Sequence, residues 1–217
     1  MGIPIRVLVE TTPKKVFVSA LEWPGWSRGA RDEAAAVELL LAVVPRYAEM
    51  AAAAGFELPV DGLEIKVAER LAGDAGTAYG VPAIVAQADR RPLDVVEAVR
   101  QAALVEAAWA ALDRIAAAAP EGLRKGPRGG GRDRSKVVAH VTEAEAAYAQ
   151  VMGRKHRPDD PAALAAMRLD ILAVLREPSD GSPLAGKRWP PRYAARRIAW
   201  HVLDHAWEIE DRTDPAS

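Results

Sequence analysis

Residues 192–209 read RYAARRIAWHVLDHAWEI, and the fold of the C-terminal half turns on how this stretch is arranged. It holds no glycine or proline and is rich in alanine, the strongest helix former. Ile198, Val202, His205 and Ile209 fall on one stripe at helical spacing, with His201 one turn before His205. Residues four apart stack on a helix, so both imidazoles of this H-x-x-x-H pair project from one face. The pattern predicts a helix over 190–212.

Working back from it, alanine-rich segments without β-branched alternation predict three more long helices, over 93–118, 133–153 and 160–177. The breaks between them are Pro120, the Gly129-Gly130-Gly131 run, Arg157-Pro158-Asp159-Asp160-Pro161, and the stretch from Pro178 to Pro191. Four helices of this length predict a bundle. On the second, Val137, Val141, Ala144, Tyr148 and Val151 mark an inward stripe, and His140 falls on it. Three of the chain's four histidines thus point toward the bundle interior. Neutral imidazole is the commonest protein metal ligand, and three of them leave an open position on an ion such as Zn²⁺. A core histidine also serves as an ordinary hydrogen-bonded packing residue, and spacing does not show that the two helices face each other. Both readings stay open at this point.

Ahead of residue 90 the pattern changes. Ile5, Val7 and Val9 alternate with more polar neighbours, as do Val16 and Val18, with Thr11-Thr12-Pro13-Lys14 as the turn of a β-hairpin. Residues 31–54 carry Val37, Leu40, Leu41 and Val44 at helical spacing; Pro45 ends or kinks that helix, and Gly55 stops it. Alternation predicts a strand over 63–71, and 82–88 reads as another. The expectation is an α+β chain: a small module of hairpin, helix and three- or four-stranded sheet over 1–90, then a helical bundle over 91–217.

Composition narrows the chemistry. The 217 residues hold 29 Lys and Arg against 30 Asp and Glu, with half the chain hydrophobic, so neither disorder nor a polyanion partner is expected. No window approaches about 18 uninterrupted apolar residues, and MGIPIRVLVE lacks the sections of a signal peptide. These features predict a cytoplasmic chain. Cysteine is absent, which excludes disulfides, thiolate metal sites and a cysteine nucleophile, and leaves histidine and carboxylates as metal ligands.

The closing segment Arg192–Ile209, together with Val138-Ala139-His140-Val141-Thr142-Glu143-Ala144-Glu145, resembles the DinB/YfiT-like metalloenzyme family over roughly residues 92–212. In that family one histidine of the second helix joins an H-x-x-x-H pair on the fourth to hold a divalent metal inside a four-helix bundle. The resemblance implies His140, His201 and His205 as ligands of Zn²⁺, Ni²⁺ or a similar ion. Members include thiol-dependent S-transferases, a mycothiol-dependent maleylpyruvate isomerase and hydrolase-like proteins, so the implied activity is S-transfer or hydrolysis on a small molecule. A chain without cysteine would then borrow a low-molecular-weight thiol, and the family's habit of dimerising implies a homodimer. Residues 16–34, from Val16-Phe17-Val18 through Trp23-Pro24-Gly25-Trp26, carry a shorter resemblance to HicB-like antitoxin domains. That implies the alternative: a non-catalytic interaction protein whose first module binds a protein or RNA partner.

Further candidates surround these motifs. Glu143, one turn after His140, is a candidate general base or hydrogen-bond acceptor for a metal-binding histidine, and Glu145 follows it. Asp204 reads as a group that supports the histidines from behind or lies on the surface. Trp200, with Trp189 and Trp207, is a candidate pocket floor, although aromatic residues at helical spacing also serve as core. The basic, glycine-rich loop 124–136 includes Arg132 and leads into the helix of His140, whose N-terminus is a candidate anion site. Arg192, Arg196 and Arg197 form a second candidate anion clamp. His156, among Arg154, Lys155 and Arg157, reads as exposed and carries no site.

Overall fold

Strand β1 (Ile3–Thr11) is the centre of a four-stranded sheet of order β3-β2-β1-β4. The computed structural model describes residues 2–126 and 131–213. β1 pairs antiparallel with β2 (Val16–Ala20), setting Val7 opposite Ala20 and Val9 opposite Val18. Thr12 closes the turn: its hydroxyl accepts from the amides of Lys14 and Lys15 and donates to the Lys15 carbonyl. β3 (Ser27–Ala30) continues the antiparallel meander, and β4 (Leu63–Ala72) returns parallel to the far side of β1 with a register shift at Val7/Leu8. β1 is covered on both faces. Val7 and Val9 enter the main core, whereas Leu8 packs in a smaller cluster with Leu21, Ala86 and Ala88.

The helical stretch expected over 31–54 is two helices, α1 (Glu33–Ala42) and α2 (Val44–Ala53). Asp32 caps the first by accepting from the Ala35 amide, and Pro45 sits in the first turn of the second, where its missing N–H costs nothing. Trp26 donates from Nε1 to the Leu40 carbonyl at 2.8 Å, Tyr47 donates to the Pro24 carbonyl at 2.8 Å, and the two rings stack at 5.5 Å. These contacts fix the Trp23–Trp26 turn against α1 and α2. A short helix, α3 (Ala75–Tyr79), follows β4 on an Asp74/Thr77 capping box that the alternation pattern gave no hint of.

No strand forms over 82–88. The amides there bond to carboxylates in place of a neighbouring strand: Ala83 N–H to Glu10, Ala86 N–H to Asp89, and those of Gln87 and Ala88 to Glu69. Pro82 has no donor to offer, and a 3₁₀ turn over Ala88–Arg90 ends the segment.

Four long helices follow: α4 (Val95–Ala118), α5 (Arg134–Val151), α6 (Pro161–Leu175) and α7 (Pro191–Arg212). Asp94 and Asp160 cap α4 and α6 through their side chains, and Pro161 and Pro191 open α6 and α7. α7 packs on α4 and α5, and α6 on α4 and α5. The chain is α+β, with seven helices in all among the described residues. No helix there is long and apolar enough to cross a membrane.

The compositional boundary near residue 90 does not divide the core. One contiguous cluster runs from Val7, Trp26 and Leu40 to Leu104, Val141 and Ile198. The contact is close at Gly25, whose φ of +93° belongs to glycine and whose Cα lies against α7. A Cβ there would meet Ala199 and Leu203 at 2.8–3.0 Å.

Candidate metal centre

α7 is enclosed on almost every side, with Tyr193, Ala194, Arg196, Ile198, Ala199, Trp200, His201, Val202, Leu203 and Ile209 all buried. On α5 the fully buried line is Val137, Val141, Glu145 and Ala149; His140 and Tyr148 stand on the neighbouring, partly open line that faces α7. The two helices therefore do face each other at the histidines. Ring centroids lie 5.2 Å apart for His140 and His201, 5.0 Å for His140 and His205, and 4.7 Å for His201 and His205. One ring nitrogen from each of the three comes within 4.8 Å of the others, close enough to hold a metal ion.

The electrostatics favour the neutral ring at His201 and at His140. Burial pushes His201 down to about 2, helped by the neighbouring His205, Arg197 and His140. His140 is lowered as well, by burial first and then by His205 and Arg132, against the raising effect of Glu143 and Glu208. Neutral imidazole is the ligating form. His201 Nδ1 is buried without a hydrogen-bond partner among the described residues, a polar atom that an ion held among the three rings would help to account for.

Glu208 is the residue that sequence reasoning missed. Its Oε2 lies 2.8 Å from His205 Nδ1, and its Oε1 accepts from Arg212 at 2.8 Å. A carboxylate on Nδ1 fixes the ring and leaves Nε2 as the nitrogen free for an ion, the arrangement by which metal-binding histidines are commonly oriented. The signal was local: Glu208 is three residues after His205 and Arg212 four after Glu208.

The chain matches no family model, no curated protein and no solved structure.

The remaining candidates divide. Glu143 is exposed one turn from His140 and its charge acts on that ring. Arg132 is exposed, and its charge acts on both His140 and His201. Trp200 is buried, edge-on to Phe17 at 6.1 Å and next to His201 at 6.1 Å, so it walls the site from the sheet side. Arg196 is no open anion clamp: it is buried in a bidentate pair with Asp89, at 2.9 and 2.6 Å. Arg192 lies 3.5 Å from Glu97 and donates to the Pro92 carbonyl. Glu145 turns away from the histidines, buried against Arg168 at 3.1 Å, because five residues on a helix carry it to another face.

At the start of α5 the anion is the chain's own. Glu121 accepts from the amide and hydroxyl of Ser135 and pairs with Arg134 at 3.1 Å. Pro127, Arg128, Gly129 and Gly130 of the basic loop lie outside the described residues. Asp204 pairs with Arg28 of β3 at 3.3 Å, and that guanidinium lies 4.3 Å from the Trp207 ring. His156, expected exposed, is half-buried and bonded to Asp170 at 3.0 Å. Trp189 packs on Tyr148 and Tyr193.

Proposed function

We propose that this chain is a metal-dependent enzyme of DinB-like design, in which α4–α7 act as the four-helix bundle and His140, His201 and His205 hold one divalent ion, Zn²⁺, Ni²⁺ or similar. The observation that carries the reading is the convergence of three imidazoles from two helices, one of them fixed by Glu208. Three neutral imidazoles without a thiolate suit several divalent ions. When bound, such an ion supplies Lewis acidity that favours the deprotonated form of water or of a thiol near neutral pH.

The chain's own residues would complete the site. Glu208 and Arg212 hold His205 in one orientation. Glu143 is placed at the open edge, where it would take a proton from the nucleophile. Trp200 and Phe17 keep water away from the buried side of His201. The reading therefore favours S-transfer with a borrowed low-molecular-weight thiol, or hydrolysis, on a small molecule in the cytoplasm.

Elemental analysis of untagged protein tests it. The wild type is expected to carry about one divalent ion per chain, and His140→Ala and His205→Ala to lose it. Wild-type protein that takes up neither Zn²⁺ nor Ni²⁺ when supplied would reduce the histidines to core residues.

A further inference from the structure

The facing lines of α5 and α7 continue past the histidines. On α7, Arg197, His201 and His205 succeed one another at four-residue intervals; on α5, His140, Ala144 and Tyr148 do the same on the facing line. His140 stands nearest His205 and His201, while Tyr148 stands opposite His201 and Arg197, at 5.7 Å between rings and 5.0 Å from ring to guanidinium. One end of these facing lines thus holds the three imidazoles and the other, one helical turn on, holds a cation.

That cation is the exception on its helix. Arg192, Arg196 and Arg212 each pair with a carboxylate, at 3.5, 2.6 and 2.8 Å. Arg197 has no carboxylate partner and no hydrogen bond among the described residues, and its Nη1 is buried without one. Two ring faces hold it instead, Tyr148 at 5.0 Å and Trp200 at 4.8 Å from the guanidinium carbon. Ring faces attract a cation but accept no N–H fork, so the bidentate valence of the guanidinium is unused. The residue is only partly buried, which leaves it within a ligand's reach. Between His140 and Tyr148 on α5, Ala144 is small and partly open.

We infer that Arg197 is the substrate-binding residue of this side of α7, pairing with the carboxylate of a small organic acid whose reacting atom lies about one helical turn away, beside His201. A planar carboxylate offers its two oxygens to the guanidinium fork in one plane. The inference rests on the histidine cluster being the reactive centre.

Calorimetric titration of the full untagged chain with benzoate, and separately with inorganic phosphate, tests it. Arg197→Met keeps the length of the stem and removes the charge; Arg197→Lys keeps the charge and removes the fork. Benzoate is expected to bind the wild type more tightly than phosphate, and to bind Arg197→Met more than about tenfold more weakly, with Arg197→Lys between them. Circular dichroism confirms that each variant is folded, and Arg197→Met keeps the wild type's metal content. Wild-type protein that fails to bind benzoate, binds phosphate more tightly, or loses nothing in Arg197→Met overturns the inference while leaving metal uptake as it was found. Benzoate binding that depends on Arg197 in a chain taking up no ion overturns the metal reading instead.

Discussion

His205 Nδ1 and Glu208 Oε2 are 2.8 Å apart on adjacent turns of α7, and the other oxygen of that carboxylate is held by Arg212. On the proposed reading, the pair leaves Nε2 as the nitrogen of His205 that an ion would use. Glu208→Ala frees the ring to rotate and is expected to weaken divalent metal affinity about 10- to 100-fold without removing a ligand. Competition against a chromogenic chelator measures it; wild-type affinity in Glu208→Ala would make the pair incidental.

The depressed basicity of His201, and of His140 beside it, has a consequence for acid sensitivity. Protons compete with an ion only at rings they would otherwise occupy. Between pH 6 and 5 the fall in log affinity per pH unit should stay well below the roughly three protons per ion of three ordinary imidazoles. Titration in buffers of differing ionisation enthalpy counts the protons released. A slope near three would mean the rings are as basic as free histidine.

Glu10 is fully buried in β1, accepting from the Thr77 hydroxyl and the Ala83 amide, each at 3.0 Å. Burial pushes its carboxyl up to about 7. Because the folded value lies above the unfolded one, the folded chain holds this proton more tightly. The group's contribution is most favourable below about pH 4.5 and is lost as pH rises through about 7, a swing of the order of 3 kcal/mol. Glu10→Gln removes the swing, so the difference in melting temperature between variant and wild type should be more favourable to the variant at pH 8 than at pH 5. A difference constant with pH would contradict the assignment.

The Arg196–Asp89 pair is sealed from solvent, with exposures of 5% and 1%. Removing one partner leaves the other charge stranded, so Arg196→Leu is expected to cost about 3–5 kcal/mol in urea unfolding. Metal content per folded chain should be unchanged, since the pair anchors α7 to the Ala88–Arg90 turn. Loss of metal in protein of normal stability would instead return Arg196 to the site.

Much of the helical half was legible. The starts of α6 and α7 follow from Asp160 with Pro161 and from Pro191, and the histidine spacing holds within a single helix. What was not legible depends on partners distant in sequence. β3 reads Ser-Arg-Gly-Ala, with no alternation to announce it. It is a strand because β2 pairs with it and because Gly29 lies against the Phe17 ring, where a Cβ would come within 2.6 Å. Residues 82–88 misled for the converse reason: Ile84 and Val85 look like strand, but carboxylates take the neighbouring amides. Asp89 and Arg196 are 107 residues apart, and no local pattern signals that the arginine is already paired.

The enclosure of α7 sets a limit on how this chain can vary in length. Each added or deleted residue turns everything after it by about 100°. A single insertion near Ile198 would carry Leu203 away from Gly25, Asp204 away from Arg28, and both histidines away from His140, all at once. Length variation among descendants of this sequence should therefore collect in the connections on either side of α5 and before α7, while the run from Tyr193 to Arg212 keeps its residue count even where its residues change.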